Sequence, residues 1–122
     1  MNTKSRIVVI AVLFLLKFLF GFWLNRTGKP YNVAILTVHK LISLATVAFI
    51  AIAVHRLRGD VGLSAAEISA IIVTGLLFLL AIVSGGLLSI DKPAHVAILL
   101  AHKVAPFLSI LSTAVMFYLL AI

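Results

Sequence analysis

A chain of 122 residues that is 64% hydrophobic and only 11% charged, with a mean hydropathy of +1.31, has too little polar surface to coat a soluble globule and reads as an integral membrane protein. The absence of cysteine excludes a dithiol oxidoreductase, a thiolate-bound metal or cluster and a disulfide framework. A net charge of +7 would suit nucleic acid if the cations gathered, but the ten Lys and Arg stand singly or in short pairs without a basic run, so they read as interfacial anchors and no nucleic-acid partner is expected.

Four apolar stretches follow one another. Lys4 and Arg6 precede the first, as in a signal peptide, yet no small-residue cleavage site follows, and residues 7–24 are expected to remain as a first span interrupted only by Lys17. Trp23 suits the membrane interface. Residues 25–30 form a short polar turn, with Pro30 where a helix N-terminus tolerates it, and the second span covers about 31–54. The link at 55–62 is the longest polar one. Ser64 and Glu67 make a capping box that starts a third helix, with a span over 67–90. Asp91, Lys92 and Pro93 form the matching turn, and 94–121 is the fourth span.

The stretch Lys29 to Lys40 returns 63 residues later as Lys92 to Lys103, with eight of twelve positions identical, among them the Lys-Pro pairs at 29–30 and 92–93 and the His-Lys pairs at 39–40 and 102–103. This is an internal duplication, with repeat halves at about 1–58 and 64–122. The fold class expected is an all-α, four-transmembrane-helix bundle built from two tandemly duplicated helical hairpins in a single transmembrane domain. Lys4, Arg6, Arg56 and Arg58 lie on one side and Arg26, Lys29 and Lys92 on the other, a bias that favours N-in and C-in, in a bacterial or archaeal cytoplasmic membrane.

The repeat places His39 and His102 nine residues past Pro30 and Pro93, about 13 Å below the same membrane face. Ionisable groups at that depth are expensive and point to function. Two neutral imidazoles ligate haem iron from opposite sides, which makes His39 and His102 the candidate metal ligands. A flat macrocycle needs small neighbours, and Gly21, Ser84, Gly85 and Gly86 share the depth, while Ser43, Thr46, Ala105 and Ser109 lie on the histidines' own faces. Pro106 removes the amide that would bond the His102 carbonyl and is expected to loosen or kink the fourth helix. Lys40 and Lys103, with Lys29 and Lys92 at the rim, suit the propionates, and His95 suits a propionate or a proton or quinone path. Lys17 has Leu80 as its counterpart 63 residues on and suits snorkelling, a propionate or an anionic substrate. His55 pairs with Tyr118 in the repeat, so no second haem is expected.

With His39 and His102 on its second and fourth spans, the chain resembles the cytochrome b561-like and related small membrane b-type cytochromes. That resemblance implies a four-helix core, one haem b per chain with His39 and His102 as axial ligands, and electron transfer to or from quinol or a redox partner. The chain departs from typical members in lacking a second histidine pair near the opposite face. No Cys-x-x-Cys-His is present for covalent c-type attachment. Two other classes remain: a small four-helix transporter or channel, dimeric in some arrangements, lined by Lys17, His39 and His102, and a non-catalytic membrane anchor or assembly subunit. No acidic residue lies inside a span to serve exchange transport.

Overall fold

The computed structural model describes residues 2–59, 62–90 and 95–121. Among them the chain forms four helices, α1 (Thr3–Thr27), α2 (Val33–Arg58), α3 (Ala65–Leu88) and α4 (Val96–Ala121), and no strand. At 24 to 26 residues each, they run about 36 to 39 Å, more than the roughly 30 Å hydrocarbon layer, and all four are apolar enough to cross it. The protein is an all-α integral membrane protein.

Local capping sets where the first three helices begin. Asn2 Oδ1 accepts from the amide of Ser5 at 2.8 Å, so α1 starts before Lys4 and Arg6 instead of at Ile7. It ends where Gly28 takes a φ of 67° and gives its N–H to Leu24 O. Helix α2 begins after Asn32, whose Oδ1 accepts from Ala34 N at 2.9 Å and Ile35 N at 3.2 Å. Pro30 therefore lies ahead of the cap, outside the helix. Ser64 and Glu67 form both bonds of the expected capping box, each at 3.2 Å. The turn at 91–93 lies outside the described residues. Helix α4 is unbroken through Pro106.

The chain divides into two compact units, Met1–Arg56 and Leu57–Ile122. In the first, α1 and α2 meet where Gly21 and Lys17 face His39. In the second, α3 and α4 run antiparallel, with Ala81 and Gly85 against His102 near one end and Thr74 Oγ1 2.6 Å from Ser112 Oγ further along. Arg58 Nε lies 3.2 Å from Glu67 Oε2, and its Nη2 donates to Gly62 O, so the residues leading into α3 are tied to its capping box.

Each unit buries the same register. The buried residues of α1, Ile10, Phe14, Lys17 and Leu24, correspond 64 residues on to Thr74, Phe78, Ala81 and Leu88, all buried in α3. The buried residues of α2, Thr46, Ile50 and Ala53, correspond 63 residues on to Ser109, Thr113 and Met116 in α4. The spacing between equivalent buried positions is thus one residue shorter in the second half: 22 positions from Leu24 to Thr46 and 21 from Leu88 to Ser109. This corrects the counterpart of Lys17: it is Ala81, buried like Lys17, and not Leu80, which is 47% exposed.

Candidate functional site

His39 stands seven residues past the Asn32 cap, on the second turn of α2. Its Nδ1 lies 3.1 Å from the backbone carbonyl of Lys17 on α1. A carbonyl oxygen only accepts, so the ring proton is on Nδ1, and the lone pair of the neutral imidazole is on Nε2. A helix carbonyl is normally shielded by the side chain four residues on, because helical side chains lean toward the N-terminus. Four residues past Lys17 is Gly21, which has none. A methyl placed there would stand 3.1 Å from His39 Cε1, so the glycine both uncovers the carbonyl and admits the ring.

The second unit repeats this arrangement with different residues. His102 Nδ1 donates to Ala81 O at 2.9 Å, and the residue four past Ala81 is Gly85, where a methyl would stand 2.8 Å from His102 Cε1. The buried Ser84 hydroxyl adds a third member: it donates to Ala81 O at 3.1 Å and presents its oxygen 3.1 Å from His102 Nδ1. The position equivalent to Ser84 in α1 is Phe20, so this hydroxyl belongs to the second unit alone. The glycines expected to make room for a macrocycle thus have an imidazole as their planar neighbour.

The other sequence candidates take more local parts. Ser43 Oγ donates to the carbonyl of His39 at 2.8 Å, and at the equivalent place in α4 stands Pro106, which offers the His102 carbonyl no amide. The two histidine carbonyls therefore differ, one with an added donor and one with a donor removed. Thr46 Oγ1 bonds Ile42 O, and Ser109 Oγ bonds Pro106 O, so these buried hydroxyls satisfy themselves within their own helices. Lys40 and Lys103 are exposed beside the histidines. His95 is exposed at the start of α4, where its Nδ1 accepts from Ala97 N at 3.0 Å. His55 is exposed near the end of α2. Lys17 is only 6% exposed, with Nζ 4.5 Å from the centre of the Phe14 ring and 5.7 Å from that of Phe18.

What sequence reading missed is the pair of backbone carbonyls, Lys17 O and Ala81 O. Their signal was present as a glycine 18 residues before His39 and 17 before His102, once the one-residue shift between the helix pairs is allowed. Among the described residues no group of three or more His, Cys, Asp or Glu stands together, so a bare ion would have few protein ligands. A porphyrin brings four nitrogens of its own and asks for only two imidazoles held as neutral Nε2 donors, which suits the tautomer that both carbonyls impose. Comparison of the chain with protein families, with characterised proteins and with solved structures finds no match.

Proposed function

We propose that the chain is a membrane b-type cytochrome in which His39 and His102, one from each repeat half, would hold one haem b. The observation that carries this reading is the shared tether: in both halves the ring N–H of the histidine is given to a helix carbonyl uncovered by a glycine. A histidine placed only as polar glue needs one good hydrogen bond, in whichever tautomer is convenient. Two histidines locked in the same tautomer by the same device suit a common use for Nε2. Such a carbonyl bond also raises the basicity of the imidazole and fixes the plane of its ring.

Haem iron, when bound, supplies one-electron exchange. The chain's own residues orient and shield it. Gly21 and Gly85 keep each imidazole pressed to its neighbouring helix, and Ser84 adds a second acceptor for His102. Lys40 and Lys103, with Lys29 and Lys92 nearer the rim, are the cations suited to propionates, and the acyl chains of a bacterial or archaeal cytoplasmic membrane cover the rest. The partners in this reading are a quinol or a redox protein, with a second copy of the chain as a further candidate. In this reading four crossings put Lys4 and the end of α4 on one side, and the Lys and Arg bias of Lys4, Arg6, Arg56 and Arg58 makes it the cytoplasmic one.

The test is an absorption spectrum of the detergent-purified protein from haem-replete cells, oxidised and then dithionite-reduced, with a pyridine haemochrome assay. A sharp reduced α-band with one haem per chain is expected. A colourless protein would overturn the reading. The burial of Lys17 would then favour an anion path through the spans, with the histidines as polar packing.

A further inference from the structure

The two halves begin their second helices differently. At position 32 the first half has Asn, whose side-chain oxygen caps α2, and its carbonyl accepts from Leu36 N at 2.9 Å. The equivalent residue, 63 positions on, is His95. It does the same work: its carbonyl accepts from Ile98 N at 3.0 Å and Leu99 N at 3.2 Å, and its ring Nδ1 accepts from Ala97 N at 3.0 Å. A backbone amide only donates, so Nδ1 must hold a lone pair. An amide oxygen keeps its lone pairs at every pH, and an imidazole does not.

We propose that His95 is a proton-sensitive N-cap, which releases the first turn of α4 when the ring is protonated, while Asn32 holds α2 at any pH. Protonation places a hydrogen on Nδ1, turning the acceptor into a donor that faces another donor. It also puts a positive charge at a helix N-terminus, where the macrodipole already disfavours one. Both effects have the same sign: the cap is made when the ring is neutral and lost on acidification. Histidine is the side chain that changes charge between about pH 5 and 8. Among the described residues, no carboxylate in the first turn of α4 offsets this and no basic residue in the last turn of α3, the helix packed against it, adds to it, while α3 carries its one acidic group, Glu67, at the opposite end. The charged residues nearest in sequence are Asp91 and Lys92. His102 stands seven residues further along α4, so the loosened turn is the one that leads to the tethered histidine.

Amide hydrogen exchange of the full chain in nanodiscs tests this, read as protection factors at pH 8 and pH 5 for Ala97 and, in the same molecule, for Ala34. Protection at Ala97 should fall about fivefold on acidification, the size of a typical lost cap, and protection at Ala34 should not change. His95→Asn, which copies the first half, should abolish the fall. Equal pH dependence at both caps, no dependence at Ala97, or an undiminished fall in H95N would each overturn the proposal. None of these readouts requires haem, so the outcome is independent of the cytochrome reading.

Discussion

Gly85 and His102 are matched so closely that no methyl group fits between them: a Cβ on Gly85 would stand 2.8 Å from His102 Cε1, a distance that real contacts do not reach. The same pair in the first half, Gly21 and His39, is looser at 3.1 Å. The imidazole thus lies against bare helix backbone in both hairpins, and its bond to the carbonyl four residues before the glycine follows from that approach.

The difference between the two pairs has a measurable consequence. Glycine to alanine inside a helix gains about 1 kcal/mol of helix propensity, whereas forcing an extra methyl into a packed contact costs about 1–3 kcal/mol. For Gly85→Ala the clash is expected to win and lower the Tm in detergent. For Gly21→Ala, where the ring need give only a few tenths of an ångström, the two effects should nearly cancel. Gly86→Ala, where a methyl meets no neighbouring atom within 4 Å among the described residues, should be neutral or stabilising. A Tm for Gly85→Ala at or above that of Gly86→Ala would show that His102 does not pack on this glycine.

Tautomers provide a second check. Nitrogen-15 NMR of the protein isolated without cofactor is expected to show His39 and His102 protonated at Nδ1, and His95, near pH 8, protonated at Nε2, because the first two donate to carbonyls and the third accepts from an amide. The same tautomer at all three would refute at least one of these contacts.

Lys17 offers a way to separate backbone from side chain. His39 is bonded to the carbonyl of Lys17 and not to its ammonium, so Lys17→Ala, which installs the residue found at the equivalent position 81, should leave the His39 tautomer unchanged. Gly21→Leu should shift it, since a side chain at 21 covers that carbonyl. If Lys17→Ala alone moved the His39 signal, the tether would depend on the lysine side chain.

Haem retention tests the ligands themselves. His39→Ala and His102→Ala should each lose the reduced α-band while the protein still inserts in the membrane, and His55→Ala, at an exposed site near the end of α2, should keep it. Equal haem content in all three variants would refute the assignment. Ser84→Ala should retain haem with an altered redox potential, because the tether to Ala81 O survives while the second acceptor of His102 is gone.

Much of this protein was written in its sequence. Unbroken apolar runs demand helices because a bilayer satisfies no backbone polar group, so four spans followed from hydropathy alone. The Ser64/Glu67 cap was legible too, since its partners are three residues apart, and the duplication could be read from the Lys-Pro and His-Lys pairs. Tertiary structure decided the rest. Which histidine nitrogen is protonated depends on a carbonyl that no residue type announces. It lies some twenty positions away on another helix, reachable only where a glycine leaves it bare. The true counterpart of Lys17 also needed packing, because the two helix pairs differ by one residue in the spacing of their buried positions, and burial alone reveals which face of each helix is turned inward. His95, seven residues before His102, suits a propionate or a proton or quinone path by sequence, and only the structure shows that its ring also caps α4, as Asn32 caps α2.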